Sequence, residues 1–259
     1  MLQLQIAERK FDQFLPILRE LYPNGRQDNS ILQRMVEIYQ NISFNENVIV
    51  ALYDHKTAAP FFVSDNVERI TGYPASTIYK WKHWFLFKAL HISHYSFAFK
   101  TLQLQKKINS IVPEHRTLDL KLYVSGLKMV AKNGQIHHGF LKGRMLALDE
   151  NQHWGISIFF VEDISHLVKG SNYWLRYTCG EPVLTYVNQK GKKVFRDLVT
   201  DRERELLQLM AQKKSNAEIA DALCLSKATV ETHRKNMIKR TGALNSTALV
   251  HLCKMANVI

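Results

Sequence analysis

The stretch that decides the C-terminal fold is LVTDRERELLQLMAQKKSNAEIADALCLSKATVETHRKNMIKRTGALN, residues 198–245. Thr200 to Glu203 reads Thr-x-x-Glu, a box in which each end of a helix's first turn satisfies the other's free backbone N–H. Leu206, Leu207 and Met210 follow on one face. Ser215 to Glu218 repeats the box and opens SNAEIADAL. Cys224-Leu225 then makes a tight connection, and Ser226 is placed to cap a third helix that stops at Thr241-Gly242, where glycine suits a left-handed C-cap. Asn245 or Ser246 caps a fourth helix.

A short helix, a tight turn and a longer basic helix is the helix-turn-helix layout. Such a unit lays its second helix in the major groove, with residues near its start facing base edges. In that helix Val230, Met237 and Ile238 fall on one side and face the core. Lys227, Glu231, Thr232, Lys235 and Lys239 lie largely opposite. At this spacing the basic face is by itself no more than the solvated face of an amphipathic helix.

The residues Leu198, Thr200, Arg202, Glu203, Glu205, Leu206, Leu207, Ser215, Asn216, Glu218, Ile219, Ala220, Leu223, Ser226, Thr229, Val230 and His233 stand at the spacing of the LuxR (GerE-type) DNA-binding domain, which the segment resembles along nearly its whole length. The resemblance implies an all-α four-helix domain over 196–259 that binds double-stranded DNA. It implies a DNA-binding set of Ser215, Asn216, Ser226, Lys227, Thr229, Val230, Glu231, Thr232, His233, Arg234, Lys235 and Lys239. Glu231, Thr232 and Lys235 would reach bases or the groove floor, and Lys227, Arg234 and Lys239 would lie nearer phosphates. It further implies a homodimer, with Leu249, Leu252 and Ala256 on the fourth helix as the dimer contact; the same stripe also suits packing within its own domain. Two positions depart from the family: Lys213 stands where glycine is frequent, and Glu231 where lysine is. A carboxylate only accepts hydrogen bonds, so Glu231 could read a cytosine amino group or pair with Lys235 one turn on.

Upstream the texture differs. Residues 8–22 and 30–42 read as helices separated by Pro23-Asn24-Gly25, the second with Ile31, Met35 and Ile38 in a stripe. This N-terminal helical segment spans 1–43. VIVALYD (48–54) and PFFVSD (60–65) are strand-like; short helical pieces fill 65–92, and Ile92, Tyr95, Phe99 and Leu102 mark a longer helix ending before Pro113. Leu118, Leu120, Leu122 and Val124 alternate as in a half-buried strand. Asn133-Gly134 is a hairpin turn with two positions that tolerate positive φ. A returning strand covers 136–147 and a third begins at Trp154. A weaker strand pair follows at 173–178 and 183–188, and NQKGKK (188–193) reads as a polar linker.

This order over 44–169, with VSDNVERITGYP (63–74) and a closing strand ending Asp163-Ile164-Ser165, resembles a PAS sensor domain. The expected fold class is therefore α+β: a PAS-like five-stranded antiparallel sheet with flanking helices, a strand pair and linker over 170–195, then the helix-turn-helix domain. The resemblance implies sensory control by a small-molecule ligand or a protein partner. The cofactor is left unknown. The aromatics Trp81, Trp84, Phe85, Phe87, Tyr95, Phe97 and Phe99 could line a cavity or simply form core, and His83, His91 and His94 are the imidazoles in the right region for haem or metal.

Composition constrains the alternatives. The formal charge is +12, but residues 196–259 hold 11 basic and 7 acidic side chains against 24 and 16 in residues 1–195, so the excess is spread and supports nucleic-acid binding only weakly. Cys179, Cys224 and Cys253 form no metal or disulfide framework. The longest apolar run is far short of a membrane span, which points to a cytoplasmic protein with no membrane partner. There is no phosphate loop, nucleophile elbow or metal-ligand spacing, so no catalytic or metal-binding residues are expected. A response regulator would need an alternating β/α receiver with an acidic pair, and an acyl-homoserine-lactone receptor a characteristic tryptophan, tyrosine and aspartate set. Neither pattern is matched.

Overall fold

The computed structural model describes residues 47–55, 57, 59–81, 88, 90–91, 95–149, 154–189, 191–195 and 197–259, together with Gln33, Val36 and Glu37. The helices expected at 8–22 and 30–42 lie outside the described residues, except that Gln33, Val36 and Glu37 are helical. Strands β1 (Val48–Asp54) and β2 (Ala59–Val63) lead through the short helices α1 (Val67–Thr71) and α2 (Ala75–Trp81) to the long helix α3 (Tyr95–Ile111). Strands β3 (Lys121–Val130), β4 (Ile136–Leu148) and β5 (Trp154–Asp163) follow. They are succeeded by β6 (Tyr173–Cys179), β7 (Glu181–Gln189) and β8 (Gly191–Phe195). Four helices close the chain: α4 (Asp201–Ala211), α5 (Asn216–Leu223), α6 (Lys227–Thr241) and α7 (Ser246–Met255).

All strands join one antiparallel sheet in the order β2-β1-β5-β4-β3-β6-β7-β8. The first five make the PAS-like sheet, and an antiparallel sheet rules out the receiver of a response regulator, whose βα crossovers require parallel strands. Three expectations need correction. The polar run 188–193 is a tight β7–β8 hairpin, with Asn188 paired to Lys192 and Gln189 to Gly191, and not a linker. Leu118 is 40% exposed and sits in a 3-10 turn, Glu114–Asp119, started by the Arg116 N–H to Pro113 O bond; the strand begins only at Lys121. At the β3–β4 hairpin only Gly134 takes positive φ (83°), so the turn uses one left-handed residue rather than two.

The two faces of the sheet are covered by different things, and β6 shows it best. All seven of its residues are buried. Tyr173, Leu175, Tyr177 and Cys179 point to the face carrying α3, where they pack with Phe97, Leu104 and Ile108. Trp174 points to the other face, into an apolar cluster shared by Tyr123, Phe140 and Val187 of the sheet and Leu198, Leu206, Met237, Leu249 and Leu252 of the helical domain. Side chains alternate across a strand, so a strand buried on both sides loses the polar alternation that normally betrays it. Val36 also packs against this second cluster.

Candidate nucleic-acid interface

The helix starts form as the caps dictate. Thr200 with Glu203 and Ser215 with Glu218 make both bonds of a capping box, and Ser226 Oγ accepts the Thr229 N–H at 3.0 Å. Lys213 between α4 and α5 has φ 62°, the left-handed conformation for which glycine is suited, so the turn keeps its shape despite the lysine. Cys224 (φ 52°) caps α5, and Leu225 N–H returns to Ala220 O. Gly242 (φ 74°) ends α6 as expected.

On α6 the face opposite the core is open. Lys227, Glu231, Thr232, Lys235 and Lys239 are exposed, as are Ser226 and Ser215, while Thr229 and His233 are half-buried. Val230 and Met237 are fully buried and hold the helix to its domain. Val230, expected among the DNA-binding residues, is thus part of the domain's core. Arg234 also departs from expectation. Its guanidinium donates to Asn216 Oδ1 and, at 2.7 Å, to Ser246 Oγ, so it braces α5 and α7 against α6 instead of reaching outward. Asn216 is engaged in the same brace. Among the described residues no ion pair joins Glu231 to Lys235, and the Glu231 carboxylate stays in solvent.

Leu249, Leu252 and Ala256 are each 0% exposed. As placed here this stripe is core, and it offers no surface to a second copy. Part of the reason is the sheet, which sequence reasoning did not connect to this domain. Trp174 Nε1 donates to Thr241 O, at the last residue of α6 (3.2 Å). Arg176 donates to Asp197 Oδ1 (2.7 Å) and to Ala256 O just past α7 (2.9 Å). Asp197 is held in turn by Arg204 (2.5 Å), and Glu203 by Arg240 (2.5 Å). Asn172 Nδ2 reaches Lys239 O, Lys169 N–H reaches Gly242 O, and Leu244 N–H reaches Leu167 O, so that Val168 and Ala243 form a two-residue antiparallel bridge. Burial pushes the Cys253 thiol beside these charges up to about 12, which keeps it protonated. The only sequence signal of the junction was an arginine and a tryptophan two apart in an otherwise apolar strand.

The α3 face of the sheet gathers a second group of polar atoms. His55 Nε2 meets Ser157 Oγ at 2.7 Å, with the Tyr53 and Trp154 rings edge-on to the imidazole. Burial drives the His55 pKa down to about 4 and that of Tyr53 up to about 12. Among the described residues the Tyr177 hydroxyl is buried without a partner, its pKa also raised by burial. Of the aromatics expected here, Phe97 is buried against Tyr173, and Trp81 packs on Tyr73. Trp84, Phe85, Phe87, His83 and His94 lie outside the described residues. His91 is half-buried, with its backbone N–H on Lys128 O. No described helix is long and apolar enough to cross a membrane.

Residues 197–253 match the family model described as bacterial regulatory proteins, luxR family. The transcriptional regulatory protein MctR of Rhizobium johnstonii is 44% identical over 54 residues, 21% of this chain and 25% of that protein. The spore germination protein GerE of Bacillus subtilis is 39% identical over 62 residues, 24% of this chain but 84% of that protein. The chain thus spans a quarter of MctR and most of GerE. Among solved structures, a VqmA dimer of Vibrio cholerae described among LuxR-type receptors overlaps 86% of both chains at 16% identity, with a TM-score of 0.34, too loose a superposition to bear on function. Matching 84% of GerE at 39% identity, and the family model over residues 197–253, the chain belongs to the luxR family of bacterial regulatory proteins.

Proposed function

We propose that the chain is a cytoplasmic, sequence-specific DNA-binding transcription regulator whose output is set by its PAS-like sensor region. The observation that carries the reading is α6: an exposed row of Lys227, Glu231, Thr232, Lys235 and Lys239 on a helix pinned from behind by Val230 and Met237. The helix's first turn and its open face suit entry into a major groove, where the lysines serve phosphates and Glu231 and Thr232 reach base edges. Ser215 and Ser226, both exposed at helix N-termini, suit additional backbone contacts. The protein acts as a homodimer on paired half-sites. Because Leu249, Leu252 and Ala256 are core in this arrangement, dimerisation in this form falls to the sensor region.

The sensor receives its signal on the α3 face of the sheet, where Tyr53, His55, Ser157 and the Tyr177 hydroxyl, unpartnered among the described residues, turn polar atoms inward among aromatic rings. Such apolar surroundings with a few directed polar groups suit a small-molecule ligand; a protein partner acting through the same sheet is the second reading. The test of the DNA half is a salt titration of Lys235→Ala on a duplex enriched from a random pool. If Lys235 neutralises a phosphate, the log–log slope falls by about 0.9, and if it reads a base, discrimination relaxes at one position. An unchanged slope with unchanged specificity would remove α6 from the groove.

A further inference from the structure

The exposed row on α6 is longer than the groove it suits. From Lys227 to Lys239 the helix advances about 18 Å at 1.5 Å per residue, against a major groove about 12 Å wide. With the first turn of α6 toward base edges, its last turn passes beyond the groove floor and over a phosphate strand. The C-terminal end of a homeodomain's recognition helix meets the backbone in the same way.

At that end α6 is met by the sheet, through the loop that joins β5 to β6. Lys169 N–H donates to Gly242 O at 3.1 Å, and Asn172 Nδ2 to Lys239 O at 3.3 Å. Trp174, two residues on, holds Thr241 O. Between these anchors Lys169, Gly170 and Ser171 are exposed. Lys128 of β3 donates to Ser171 Oγ at 2.8 Å and brings a second ammonium to the same edge. The backbone contacts thus set Lys169 beside the end of the row Lys227, Lys235 and Lys239.

The segments that meet here supply no opposing charge. Neither Asp nor Glu occurs from Leu120 to Leu148, from Ile164 to Gly180 or from Thr232 to Ile259. Among the described residues no carboxylate pairs with Lys169. The apolar cluster shared by sheet and helices keeps the loop in register with α6. A basic edge that crosses from one region to the other without a carboxylate suits a polyanion lying across both.

We propose that the β5–β6 loop is a second DNA-contacting element: Lys169, backed by Lys128, neutralises a backbone phosphate next to the strand that the last turn of α6 meets. Sheet and helices then engage the duplex as one docked body. This rests on the DNA-binding reading above. A phosphate contact carries no base information, so the loop adds affinity and fixes the angle at which α6 lies in the groove. The competing role for Lys169 is to answer the partial negative charge on the last carbonyls of α6, which would show in stability and not in DNA binding.

Full-length parent, Lys169→Gln and Lys235→Ala proteins are titrated with salt by fluorescence anisotropy on a duplex enriched from a random pool. Their melting temperatures are measured alongside. Lys169→Gln is expected to lower the log–log salt slope by about 0.9, which amounts to about eightfold weaker binding at 0.1 M salt when affinity at 1 M is unchanged. Its ranking of base-substituted duplexes and its melting temperature should match the parent's. A parental slope for Lys169→Gln, while Lys235→Ala alters slope or specificity, overturns the second contact. So does a loss confined to particular base sequences, and so does a lower melting temperature with the slope unchanged. If neither variant alters slope or specificity, the DNA-binding reading falls instead.

Discussion

Replacing Arg176 by methionine keeps much of the side chain's length and removes its charge, which isolates what the guanidinium contributes. The side chain is 4% exposed and Asp197 11%. Removing one partner of a buried ion pair costs about 3–5 kcal/mol, because the remaining charge is left uncompensated. Here Asp197 keeps Arg204 at 2.5 Å and the Leu198 N–H at 2.7 Å, so the loss at the carboxylate falls well below that range. Ala256 O, however, loses its 2.9 Å donor, which adds about 1 kcal/mol. The sum is about 3 kcal/mol for the intact chain. At about 2–4 °C per kcal/mol for a chain of this size, the melting temperature should fall by about 6–12 °C. Scanning calorimetry and urea titration of full-length protein measure it. Arg176→Lys, which keeps the charge but loses the planar fork, should fall between parent and methionine variant. A loss under about 1 kcal/mol would refute the claim that this ion pair clamps the two regions together.

Three further outcomes follow from single groups. Lys213 holds a left-handed conformation, so Lys213→Gly should stabilise the protein by about 0.5–1 kcal/mol despite glycine's greater freedom when unfolded; destabilisation in urea would mean that the lysine side chain contributes packing. The Ser215 backbone N–H, followed by Lys214, holds the Glu218 carboxyl down to about 2. Its contribution is complete above the ordinary carboxylate range and drains away as pH falls toward 2, so Glu218→Gln should flatten the melting temperature between about pH 5 and pH 2; parallel curves for the two proteins would contradict the box. Burial holds His55 down to about 4. The unfolded imidazole binds its proton near pH 6.5, so the stability tied to this residue declines as pH drops from about 6.5 toward 4. The His55 ring signals, assigned by their absence in His55→Gln, should stay flat above about pH 5, and a midpoint near the ordinary histidine value would show the ring to be solvated.

What the sequence made legible was whatever is encoded locally. The capping boxes at Thr200 and Ser215, the Ser226 cap and the Gly242 stop depend on residues within four positions of one another, and all appear where read. The buried side of α6 followed from spacing alone. Errors arose where a distant partner decides. The bonds that Arg234 makes to Asn216 and Ser246, residues distant in sequence, could not be read from spacing. The 188–193 run is polar because it turns between strands, and polarity alone does not distinguish a hairpin from a tether. Leu118 fits the alternation of its neighbours, yet Pro113 commits the chain to a 3-10 turn first. The strand pair at 173–189 looked weak because burial on both faces erases alternation, and the same burial is why it joins the sheet to the helices.

That two-sided strand bears on how separable the parts are. The luxR match begins at residue 197, which makes the last four helices look like an interchangeable cassette. Cutting there would strip the cover from Trp174, Tyr123 and Val187 on one fragment and leave Asp197 and Ala256 O without Arg176 on the other. The half holding the sheet would then carry an aromatic patch in water and tend to self-associate. A chimera grafting these helices onto a foreign sensor should behave well only if the β6 row from Trp174 to Arg176 travels with them, so the transplantable unit begins well upstream of the recognisable one.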